Sequence, residues 1–122
     1  MTDARLSPDD RALLTATKTF ATSSTLHSLW SLTSTLAAFA ATLAAVSLAG
    51  PGWSLLLVPL LALRHVRIFV LQHDLGHRSF FPSKVANDVV GRLLSVFTGI
   101  AHDAWRVEHD WHHQVTGRMD RR

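Results

Sequence analysis

Apolar and charged positions are sharply segregated along the chain. Between Lys18 and Arg64, 45 successive positions carry no charged side chain. The uncharged region breaks once, at Gly50-Pro51-Gly52. Its first half, residues 26–49, exceeds the roughly 20 residues that cross a bilayer, although Ser, Thr and His27 interrupt it. The second half starts at Trp53, runs through SLLLVPLLAL, and continues past Arg64, His65 and Arg67 into IFVLQ. A helix here leaves the hydrocarbon near Arg64, with the arginine stems reaching toward headgroups. The link is too short for a folded unit. The pattern predicts a transmembrane helical hairpin over residues 25–72, with its uncharged tip on one side and both charged ends on the other.

The flanks have a different pattern. In SPDD, Ser7 can cap a helix, Pro8 suits its first position, and Asp9 and Asp10 favour the positive end of its dipole. Residues 1–24 therefore read as a polar segment with a short helix, either lying on a membrane surface or plainly solvated. After RSFFPS, Ser83 is placed to cap a helix with Ala86, Val89, Val90, Leu93, Leu94 and Phe97 on one face. Asn87, Asp88 and Arg92 fall off that face, and the helix ends near Gly99. Asp103 is placed to cap a last helix that stops around Gly117. No run alternates as a strand does, so the predicted class is all-α.

Charge adds an orientation. The segment through Lys18 balances three basic against three acidic groups, and residues from Arg64 onward account for the whole net charge of +3. The positive-inside rule then puts both charged ends in the cytoplasm. A soluble Ala/Leu-rich hairpin would need a large partner surface, of which this chain supplies little. There is no cysteine, which excludes disulfides and thiolate metal sites. The pI near 10.6 does not indicate nucleic acid, because no basic stripe with interleaved aromatics occurs. The N-terminus is polar and acidic, unlike a secretory signal.

The chemistry lies in the histidines. Five of the eight fall in two short stretches, HDLGH (His73, His77) and WRVEHDWHH (His109, His112, His113). Residues four apart on a helix are neighbours, so His73 and His77 point the same way. His109, His112 and His113 likewise share a face. Neutral imidazoles suit iron, zinc, copper or nickel. Asp74, Asp103, Glu108 and Asp110 are candidates to accept the second ring N–H of a ligating imidazole, which sets its tautomer. Gly76 keeps space clear beside the first pair, and Trp105 and Trp111 can wall the site or sit at the interface. His27, His65 and His102 read as ordinary surface or core residues.

HDLGH resembles the first histidine box of the membrane fatty acid desaturases. WRVEHDWHH resembles their second, including the Trp-Arg that precedes it in Δ12-type acyl desaturases. The resemblance covers residues 25–122 and is strongest over 69–113. It implies a cytosolic di-iron centre at the ends of transmembrane helices, with His73, His77, His109, His112 and His113 as ligands. It also implies O₂-dependent insertion of a double bond into an acyl chain, with a ferredoxin or a cytochrome b5-type protein as electron donor and a membrane lipid or other acyl chain as substrate. A complete desaturase has a second helix pair and a third histidine box. The expectation is therefore a truncated desaturase fold, with an incomplete region 73–122 and inactive alone: a fragment, a truncated gene product, or one half of a split enzyme with a separate C-terminal half. The alternatives are a related membrane di-iron hydroxylase or ketolase, and a non-catalytic metal-binding membrane protein.

Overall fold

A computed structural model describes residues 7–18 and 22–116, and all regular structure among them is helical. The elements are α1 (Pro8–Lys18), α2 (Thr25–Leu48), α3 (Pro51–Gly76), α4 (Lys84–Thr98) and α5 (His102–Val115).

The start of α1 is as SPDD predicts. Ser7 Oγ accepts from the Asp10 amide at 3.1 Å, and the Asp10 carboxylate accepts from the Ser7 amide at 3.1 Å. This reciprocal pair satisfies two amides that the first turn leaves free. No residue of α1 is buried.

α2 and α3 form an antiparallel pair. Arg67 reaches Ser31, His65 packs edge-on against Phe39, and Ser54 Oγ donates to Val46 O. The break between them is shorter than the Gly50-Pro51-Gly52 motif suggests. Pro51 and Gly52 are already helical and Gly50 is the N-cap, because proline fits the first helical turn, where no amide partner is needed. The polar residues that interrupt α2 have a structural role. Its buried residues are Ser28, Thr35 and Thr42, one every seven positions. Their small side chains make a seam against α3. The hydroxyls of Ser28 and Thr42 donate to carbonyls four residues back, at 2.9 and 2.7 Å, so neither is left unpaired. Both helices have the length and apolarity to cross a membrane. Their outer faces expose Leu48, Leu55, Leu56 and Leu63.

The core lies at the open end of the hairpin. Ile68, Leu71 and Leu75 of α3 meet Phe81 and Leu94, flanked by Leu32, Leu36 and Phe39 of α2. Three polar devices fix the elements around it. Arg78, at φ 55°, turns the chain out of α3 and grips Asp88 of α4 through two bonds of 3.0 and 2.6 Å. Gln72, 1% exposed, donates to Ile100 O at 2.9 Å and accepts from Thr98, tying α3 to the α4–α5 turn. Asn87 is fully buried; its amide donates to Phe81 O and Ser83 O and accepts from the Phe81 amide.

The apolar face of α4 is only partly covered, with Ala86, Val90 and Leu94 against the core. The buried positions are Asn87, Gly91 and Leu94, while Val89, Leu93 and Phe97 are exposed. The polar and small side of the helix closes the FFPS turn through Asn87 and meets α5 at Gly91. The ends of α4 are as expected: Ser83 accepts from the Ala86 amide, and Gly99 closes the helix at φ 70°. The start of α5 is not. Its N-cap is Ala101, and Asp103 lies inside the helix, paired with Arg92 at 2.7 Å. An arginine across the turn competes successfully for the carboxylate. α5 runs to Val115, and Gly117 lies outside the described residues.

Candidate metal centre

The last turn of α3 carries His73 and the helix is capped by His77, both turned away from the core residues Leu71 and Leu75 that lie between and beside them. α5 lies across that end and brings a second row of imidazoles to the first. His73, His77 and His109 each offer a ring nitrogen, all within 4.8 Å of one another. The Nε2 atoms of His77 and His109 are 3.1 Å apart, and those of His109 and His113 are 2.9 Å apart. The ring of His113 also meets His77, centroid to centroid at 5.1 Å. His112 is peripheral: its ring centroid lies 6.2 Å from His109 and 6.0 Å from His113.

These spacings suit a shared cation. With metal–nitrogen bonds of about 2.1 Å, neighbouring ligand nitrogens fall about 3.0–3.4 Å apart. The His77–His109–His113 contacts lie close to that span. An all-imidazole donor set with no thiolate fits a redox-active first-row metal such as iron. The residues present therefore fit the metal that the motif implies.

The electrostatics favour neutral rings. Burial pushes the His77 imidazole below its ordinary value, and the nearby His73 and His113 push it further. His109 is lowered by the same causes, burial first and then His113 and His73. A neutral imidazole keeps a lone pair free for a cation.

Trp105 forms one wall. Its indole stacks on His109 at 4.4 Å with planes 16° apart, and it lies 5.5 Å from the His73 ring. The space at Gly76 serves this residue: a Cβ there would lie 2.6 Å from the indole Cζ3. Trp111 is exposed.

The four candidate carboxylates behave differently. Asp74 Oδ1 lies 3.3 Å from His73 Nδ1 and is the one carboxylate placed to accept a hydrogen bond from the cluster among the described residues. Asp110 acts on His77 only through its charge. Glu108 is exposed, and Asp103 is engaged by Arg92 on another face. The remaining histidines stay apart from the centre. His27 is exposed, His65 packs on Phe39, and His102 is buried against Gly91. Sequence reasoning missed Gln72 and Asn87, which hold the elements carrying the cluster. Their only signal was an amide side chain at a helical position near apolar neighbours.

The profile of the family described as fatty acid desaturase matches residues 51–122. A probable fatty acid desaturase of Sorghum bicolor is 51% identical over 53 residues, covering 43% of this chain and 14% of the relative. An acyl-lipid omega-3 desaturase (cytochrome b5) of the endoplasmic reticulum of Arabidopsis thaliana is 43% identical over 53 residues, with the same two shares. An sn-1 acyl-lipid omega-3 desaturase (ferredoxin) of Nostoc is 40% identical over 53 residues, covering 43% of this chain and 15% of the relative. The matched stretch thus spans about one-seventh of the length of these relatives. No solved structure matches the chain at a significant level.

Proposed function

This chain belongs to the fatty acid desaturase family, and on that premise we propose that it holds part of the iron centre of an O₂-dependent acyl-chain desaturase. The observation that carries this reading is the meeting of His73, His77 and His109 at the end of an apolar helix. In this reading His73, His77, His109, His112 and His113 are the iron ligands. Bound iron supplies O₂ activation and removal of two hydrogens from the acyl chain.

The chain's own residues bind, orient and shield. Asp74, near His73 Nδ1, holds that ring in one tautomer and leaves Nε2 for the metal. Trp105 covers His109 and keeps water from one side of the centre. α2 and α3 cross the membrane, with α1, α4 and α5 on its cytoplasmic side. That placement brings the centre to the level where lipid chains and a water-soluble donor both reach it. The Arabidopsis and Nostoc relatives, named for cytochrome b5 and ferredoxin, support an electron donor of one of these two kinds. Five imidazoles divided between two ions leave at least one of them with no more than two, so further ligands complete a two-iron centre.

The test is metal content. The full chain, purified in detergent, is titrated anaerobically with Fe(II) and with Co(II) as a spectroscopic probe. Expected is at least one tightly bound ion per chain, lost on His77→Ala or His109→Ala. Absence of specific binding by the wild-type chain sinks the reading. Gas chromatography of acyl chains from cells expressing the chain with a polypeptide carrying a further histidine box then reads the activity.

A further inference from the structure

A second site adjoins the imidazole cluster through Asp74, in a cavity of about 320 Å³ between the start of α2 and the end of α3. Its lining mixes polar and charged side chains with Leu71 and Phe80. Ser24 is the N-cap of α2, His27 and Ser31 come from α2, Arg67 and Asp74 from α3, and Phe80 from the following turn. Phe80 is anchored there, since its carbonyl accepts a close hydrogen bond from Ser28 Oγ.

We infer that this cavity docks the zwitterionic headgroup of a bilayer phospholipid, its phosphate on Arg67 and its ammonium on Asp74. The inference rests on the membrane placement proposed above. α3 leaves the hydrocarbon between Arg64, its first charged residue, and Val70, about 20 residues in from Pro51, and counting back about 20 from Leu48 reaches Leu29. Both walls of the cavity therefore stand where hydrocarbon gives way to headgroups. Arg67 donates only a long bond of 3.4 Å to Ser31 Oγ, and no carboxylate lies within ion-pair distance of it among the described residues. Its planar guanidinium suits a phosphodiester. The first turn of α2 has no side-chain cap, so its free amides add a second source of positive potential. Asp74 brings one negative charge to the same cavity and disfavours a purely anionic headgroup. Phe80 offers an aromatic wall to a quaternary ammonium.

Native mass spectrometry of the full chain in phosphate-free detergent tests this, with palmitoyl-oleoyl phosphatidylcholine as probe. Wild type should retain the lipid, and Arg67→Gln should weaken retention about tenfold, as loss of a charge-assisted bond does. Arg67→Lys should restore part of it, with helicity by circular dichroism unchanged in both. Asp74→Asn should shift preference from phosphatidylcholine toward phosphatidylglycerol. Four results would overturn the inference: equal retention by Arg67→Gln, equal retention of diacylglycerol, unchanged headgroup preference in Asp74→Asn, or displacement by millimolar inorganic phosphate, which would assign the cavity to a soluble anion. Alkaline extraction of membranes separates the levels. A chain released by carbonate refutes the membrane placement itself; a retained chain with an indifferent Arg67→Gln refutes the headgroup site alone.

Discussion

Trp105 lies flat on His109, with ring centroids 4.4 Å apart and planes 16° apart. The opposite edge of its indole rests on Gly76 of α3. The absence of a side chain at position 76 thus sets how closely α5 approaches α3, and so where His109 stands relative to His73 and His77. Gly76→Ala should displace the indole and drag His109 out of register. Co(II) affinity should fall about 10–100-fold, the range typical of losing a partner that orients a ligand. Trp105→Phe in the Gly76→Ala background should recover part of the affinity. An unchanged titration in Gly76→Ala would show that the two helices can separate without disturbing the imidazoles.

The imidazoles should not contribute equally. His77, His109 and His113 are linked by nitrogen contacts of 3.1 and 2.9 Å, whereas His112 sits at the edge. His77→Ala and His109→Ala should each reduce Co(II) affinity by more than the 10–100-fold of an outer partner. His112→Ala should leave the first ion almost undisturbed. Isothermal titration on the single variants ranks them, and a His112 variant as damaging as His109 would contradict this geometry.

The helices and the histidine pairing were largely legible because they depend on short-range regularities. Four-residue spacing put His73 beside His77, and Ser83 and Gly99 marked both ends of α4. What stayed hidden depends on contacts between elements distant in sequence. No local pattern distinguishes Asn87 as a buried clasp from Asn87 on a solvated face. Asp103 has the composition of a cap, yet Arg92, eleven residues earlier, takes its carboxylate. The Ser28, Thr35 and Thr42 seam looked like dilution of an apolar helix, because small hydroxyls pack well only against a partner helix.

Asn87 makes three hydrogen bonds inside the FFPS turn. Asn87→Ala removes all three and leaves the Phe81 amide and carbonyl without their partner. Such losses cost about 1–3 kcal/mol for each buried group. Denaturant unfolding in detergent should show a loss of about 2–4 kcal/mol, and the Phe81 amide should exchange with solvent much faster. A protected Phe81 amide in the variant would mean that the turn is held by other contacts.

Gly91 and His102 fix the α4–α5 crossing. A Cβ at position 91 would collide with the His102 imidazole, which is 2% exposed. Gly91→Ala should therefore destabilise by about 1–3 kcal/mol, the usual cost of overpacking. His102→Ala should cost less in the Gly91→Ala background than in the wild type, since the smaller side chain makes room for the added methyl. Additivity in that double-mutant cycle would show that the two positions are not coupled.

Stability should also depend on pH through His102. Burial holds its imidazole below the ordinary value of 6.5, outweighing the opposing pull of Asp103. Neither ring nitrogen has a hydrogen-bond partner. The unfolded chain takes up a proton near 6.5, while the folded chain takes it up only at lower pH. Between those values the unfolded state binds more protons, so stability falls as pH drops below 6.5 and is fully present above it. His77 and His109 shift in the same direction, so the wild-type slope is a sum. The groups acting on His102 besides its own burial are Asp103, Arg106, Asp88 and Arg92. The two carboxylates are held below their ordinary range by arginines and stay ionised through this window. His102→Leu should therefore flatten only the His102 share of the slope. It should also raise stability at neutral pH by about 1 kcal/mol or more, because two buried nitrogens without partners are removed. Unfolding midpoints measured on both chains between pH 5 and 7.5 decide the matter. Parallel curves would mean that His102 is hydrated or partnered in the folded protein.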